Sequence, residues 1–107
     1  MGTGTGGAEL GRNVGTGNFT SAASGAAVGA SGYFNVSVWG VFVGTVVLER
    51  SFDAGTTWLS VSEDLYGTAV AFTTPTSVTA WEPEAGVIYR CRCSAYTSGT
   101  AKWRISQ

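Results

Sequence analysis

Histidine is absent from this 107-residue chain. Without it no Ser-His-Asp or Cys-His relay can be assembled, and two cysteines with no third cannot complete a zinc site. Charge is scarce as well. Six Lys and Arg stand against seven Asp and Glu, a net charge of −1, and charged residues are 12% of the chain, half of the ~25% usual for soluble domains. No basic field exists to draw phosphates, so nucleic acid is not an expected partner. No run approaches the ~20 apolar residues of a membrane-spanning helix, so no membrane is expected either. The start, M-G-T-G-T-G, has neither the basic nor the apolar region of a secretory signal. No cofactor or metal is implied.

Helix formers are thin too, with four leucines and one lysine against twelve valines and fourteen threonines. β-branched side chains suit a pleated surface and lose rotamer freedom in a helix. Glycine is abundant, at sixteen residues, about twice the usual ~7%. The expected class is all-β, with one modest core at this length.

Ten of the first 32 residues are glycine, and most others are Thr, Ser or Ala, so little apolar area offsets their ordering entropy. Residues 1–16 read as a flexible arm and 17–107 as the domain, with a short strand near Asn18–Ala22 anchored by Phe19. From Gly32 the pattern has period two. Phe34, Val36 and Val38 share one face, and Asn35 and Ser37 the other. Further strands are expected over Val41–Phe52, Thr57–Ser62, Thr68–Thr73, Thr76–Trp81, Val87–Tyr96 and Thr100–Ser106. Seven or eight strands with turns every 8–12 residues predict an antiparallel β-sandwich, jelly-roll or related.

The last two strands read as a closing hairpin. Tyr89, Cys91, Cys93 and Ala95 lie on one face and Arg90 and Arg92 on the other. Ala101, Trp103 and Ile105 alternate with Lys102 and Arg104. A three-residue turn over Thr97-Ser98-Gly99 would set Cys93 against Trp103, with Gly99 at positive φ. The same register puts Arg92 opposite Arg104 and makes Arg90, Arg92, Lys102 and Arg104 one basic strip. That strip is a solvated face, a contact for acids on a neighbouring subunit, or a site for an anionic glycan or phosphate. On a strand, Cys91 and Cys93 have parallel Cβ vectors, which is poor disulfide geometry. They read as reduced core residues.

Ser51-Phe52-Asp53-Ala54-Gly55-Thr56-Thr57-Trp58 fits S-x-D-x-G-x-T-W, which resembles the Asp-box of sialidase-like propellers. There it is a peripheral hairpin turn, and 107 residues are too few for a propeller. Ser51, Asp53, Gly55 and Trp58 are therefore expected to build a turn, with Asp53 accepting backbone N–H bonds. Glu63-Asp64 and Glu82/Glu84 place carboxylates in loops, where they are either a glycosidase pair or solvated turn acids, the commoner case. Of four tryptophans, Trp103 falls on a core face, while Trp39 and Trp81 are expected to be exposed, at an oligomer interface or against a sugar.

The block Gly44–Trp58, and the ending from Pro83–Arg90 through Ala95–Thr100 to Arg104–Gln107, are similar to small virion proteins of tailed bacteriophages. These are short all-β modules without enzymatic activity. The resemblance implies a structural protein of the virion, made in the host cytoplasm and carried on the capsid surface. It would be a decoration or cement protein that binds the major capsid protein, as a homotrimer. The alternative is a tail, baseplate or head-fibre module that binds a host surface glycan. Either role suits a weakly charged surface that neighbours cover.

Overall fold

Alternation over most of the chain becomes ten strands in the computed structural model, which describes residues 13–63 and 67–107. They are β1 Val14–Phe19, β2 Ala23–Ser24, β3 Val28–Gly29, β4 Gly32–Trp39 and β5 Phe42–Ser51. After them come β6 Leu59–Ser60, β7 Ala71–Phe72, β8 Thr76–Glu82, β9 Ile88–Gly99 and β10 Ala101–Ser106. No helix occurs among the described residues. The arm expected over 1–16 falls mainly outside them, and Val14–Thr16 already pair with β10.

Two antiparallel sheets face each other as a β-sandwich. One has the order β1-β10-β4-β8; the other runs β2-β9-β5-β6, with β3 also on β9 and β7 also on β5. Ten strands replace the expected seven or eight because two positions are split. β2 and β3 both pair with β9, one residue out of register with each other. β6 and β7 both pair with β5, separated by an excursion at 62–69. Beneath it Leu48 closes the ladder, donating N–H to Val70 and accepting from Val61.

The inward faces make one core. Phe34, Val36, Val38, Ala101, Trp103 and Ile105 come from the four-stranded sheet, and Val46, Leu48, Tyr89, Cys91 and Cys93 from the other. Rings meet across the gap: Phe34 and Tyr89 lie 4.5 Å apart, centroid to centroid. Burying each large side chain contributes roughly 1.5–3 kcal/mol. Both cysteines are free and buried, and burial pushes the Cys91 thiol up to about 12.

The closing hairpin is not formed. β9 pairs with β5, Cys93 opposite Val46, while β10 pairs with β1 and β4, Trp103 opposite Val38. The chain leaves one sheet at Gly99 and enters the other at Ala101. The faces were assigned correctly apart from Ala95, which is exposed beyond a bulge after Cys93, and the partner was not, because two strands that both point inward can lie side by side or across the core. Alternation is the same in either case. Gly99 does take positive φ, +83°, but as a corner between sheets. Gly44 lies inside β5.

Candidate functional site

The outward positions of the four-stranded sheet follow from its inward ones. Tyr33, Asn35, Ser37 and Trp39 alternate with the core residues of β4. Across the sheet Tyr33 faces Trp81, Ser37 faces Ser77 and Arg104, and Trp39 faces Lys102. Asn18 and Thr16 complete the rows opposite Lys102 and Arg104. Trp39, Trp81 and Tyr33 are exposed by 39%, 58% and 74%. Trp39 and Tyr33, six residues apart on one strand, stand about 20 Å apart.

Between these aromatics lies a polar floor. Asn35 Nδ2 donates to Ser77 Oγ at 3.0 Å and to the Val78 carbonyl at 2.9 Å, and Ser37 Oγ donates to Asn35 Oδ1 at 2.7 Å. No carboxylate occupies an outward position of this sheet. Among the described residues neither Lys102 nor Arg104 enters an ion pair. Arg104 Nη1 reaches only Ser106 Oγ, at 3.1 Å. The face therefore combines three exposed rings with Arg104, residue types that interfaces favour at their hot spots, and Lys102 beside them.

The four cations do not form one strip. Arg90 and Arg92 lie on the outside of the opposite sheet, where β5 supplies Glu49 directly opposite Arg90. Arg90 Nε and Arg92 Nε each bond one oxygen of Glu49 at 2.8 Å. Burial pushes the Glu49 carboxyl up, but hydrogen bonds from Arg92 and then Arg90 outweigh it and leave the group below its ordinary value. Glu49 was not anticipated. Its signal was an acid inside the apolar run Val46-Val47-Leu48-Glu49, which needs a cationic partner once the strand is buried.

Ser51–Trp58 is the turn between β5 and β6. Ser51 Oγ donates to Asp53 Oδ1 at 2.8 Å and accepts from Gly55 N–H at 2.8 Å. Asp53 Oδ1 also accepts from Thr57 N–H at 2.8 Å, and this bond leads in holding the Asp53 carboxyl below its ordinary value. Ala54 and Gly55 both have positive φ. A Cβ on Gly55 would meet the Trp58 ring at 3.7 Å, and Trp58 in turn lies 4.2 Å beneath the Arg90 guanidinium. The motif ties a turn to the strand beside it.

Glu82 is buried at one end of the sandwich. Arg50 grips it through Nε at 2.5 Å and Nη2 at 2.8 Å, Tyr89 Oη donates at 2.6 Å, and Glu84 N–H donates at 2.9 Å. Arg50, first among these, holds the Glu82 carboxyl down to about 2. An acid so held is ionised at neutral pH and does not supply the proton a glycosidase needs. Asp64 lies outside the described residues. A groove of about 380 Å³ opens between β8 and the 62–69 excursion, walled by Val61, Val70, Val78 and Ala80, with Glu63 and Trp81 also lining it.

Compared with known proteins, the chain matches no family model, no curated protein and no solved structure.

Proposed function

We propose that this chain is a structural protein of a tailed-phage virion, a capsid decoration or cement protein that docks on the major capsid protein through the outside of its four-stranded sheet. The observation that carries this reading is that face itself, with Trp39, Trp81 and Tyr33 exposed around Lys102 and Arg104, which enter no ion pair among the described residues. The strand order supports it. With each split strand counted once, eight positions run 1-8-3-6 in one sheet and 2-7-4-5 in the other, the order of a jelly roll, an architecture of viral capsid and lectin domains. Among the described residues β1 and β8 are the edge strands of their sheet, and such edges suit closure into a homotrimer, since symmetric assembly covers edges that otherwise aggregate.

The test uses mature, expanded capsids of the phage whose genome encodes the chain. The full chain is expected to sediment with them, to raise their melting temperature, and to lose both effects in Trp39→Ala, Trp81→Ala and Lys102→Glu. Full binding by all three variants would overturn the assignment of this face. No binding by the native chain would overturn the cement role.

The adjacent Tyr33 and Trp81 rings favour a second reading, a tail, baseplate or fibre module that stacks a host surface sugar. Saturable binding on a glycan array, lost in Trp81→Ala, would establish it in place of the first.

A further inference from the structure

Glu49, Arg90 and Arg92 form a second outward cluster, on the six-stranded sheet. The carboxylate is 5% exposed and sits between the two arginines. Each arginine reaches it through Nε alone. Among the described residues no hydrogen bond engages any of their four Nη nitrogens. The arginine side chains are 22% and 38% exposed, and the Arg90 guanidinium lies over the Trp58 ring, 4.2 Å from its centroid. Ser24 stands opposite Arg92, and Ser60 opposite Glu49. The same outward face therefore brings both residues beside the guanidiniums.

We propose that this cluster is a preformed clamp for one carboxylate, an Asp or Glu side chain presented by a partner protein. Three physical points carry it. The shared Glu49 fixes both guanidiniums before any ligand arrives, so little side-chain entropy remains to be lost on binding. The free Nη edges offer planar paired donors, the geometry that recognises a carboxylate through two parallel bonds. Charge decides the class of anion. Two guanidiniums and one carboxylate leave a single positive charge, which a monoanion neutralises. A phosphate dianion would leave a negative cluster above the buried Glu49, and like charges that close repel strongly. The clamp lies on the opposite sheet from the aromatic face and does not depend on the role proposed for that face.

The experiment is an NMR titration of the full ¹⁵N-labelled chain at pH 7 and constant ionic strength, following the Arg90 and Arg92 Nε–Hε signals. Sodium acetate is expected to move both signals saturably, and chloride to move neither. Phosphate is expected to bind more weakly than acetate. A hexaglutamate peptide is expected to act at lower carboxylate concentration than acetate. Arg92→Lys keeps the charge but loses the planar fork, and is expected to weaken acetate binding by about fivefold or more. Lys102→Ala is expected to leave it unchanged. Shifts that are linear or shared with chloride would reduce the effect to screening and overturn the clamp. Tighter phosphate binding would overturn the carboxylate assignment, and peptide no better than acetate would overturn the partner-protein source. If Arg92→Lys does not fold, the native titration decides alone.

Discussion

A Cβ on Gly99 would stand 2.2 Å from the carbonyl oxygen of Val41. Two of the places where the chain crosses between sheets, Gly40-Val41 and Gly99-Thr100, lie against each other. Thr100 N–H donates to that Val41 oxygen at 2.9 Å, and a Cβ on Gly40 would come within 2.6 Å of the Thr100 carbonyl. Tyr96 Oη donates to the Gly99 carbonyl at 2.8 Å and braces the corner. Each crossing excludes a side chain from the other.

Gly99→Val is therefore expected to destabilise the fold by at least ~2 kcal/mol, combining positive φ with a backbone clash. Gly86 is the control. It has φ +83° as well, but open space around it, so Gly86→Ala should cost about 1 kcal/mol. Urea unfolding midpoints compare the two, and equal losses would show that φ alone matters at Gly99.

Acid should weaken the sandwich through Glu82. Its folded value lies near 2 against an ordinary 4.5, so its stabilisation is complete above about pH 5. It is lost as pH falls from 4.5 through 2, a contribution of roughly 3 kcal/mol. Glu49 and Asp53, also held low, act in the same direction. Glu82→Gln should flatten this acid limb and cost about 3 kcal/mol at pH 7, because Arg50 loses its partner. Stability measured by chemical denaturation from pH 7 to pH 2 checks both, and a variant with an undiminished acid slope would refute the assignment to Glu82.

Neither thiol should react in the native state. Burial raises both, Cys91 to about 12, and the thiolate is the reactive form. Iodoacetamide at pH 8 should leave the folded chain unmodified and add two groups in guanidinium chloride, as read by intact mass. Rapid native labelling would show that β9 opens locally.

Trp39→Ala, Trp81→Ala and Lys102→Glu should each shift stability by no more than ~0.5 kcal/mol, since these side chains lie outside the core. Trp103→Ala should cost about 3–5 kcal/mol, because Trp103 is buried. Thermal unfolding of all four measures the contrast. A large loss in any surface variant would mark it as structural.

The inward faces were legible from alternation alone. Phe34, Val36 and Val38, then Tyr89, Cys91 and Cys93, then Ala101, Trp103 and Ile105 all read as core. The turn at Ser51–Trp58 was also legible, because its partners lie within a few residues of each other. Pairing was not. Apart from the β5–β6 turn and the two split strands, each strand is followed by one in the opposite sheet, so neighbours in sequence are not neighbours in a ladder. That one property hid the Glu49 partnership with Arg90 and Arg92, and the grip of Arg50 on Glu82. It also hid Tyr33 as a companion of Trp81. Each of these depends on residues more than thirty positions apart.

The split between β6 and β7 has a consequence for engineering. Val70 N–H donates to the Val61 carbonyl at 2.7 Å, and both residues grip Leu48, so the ladder is sealed below the excursion at 62–69. Chain added beyond the Ser62–Ala69 bridge is expected to leave β5, β6 and β7 in register, a place to graft a foreign peptide.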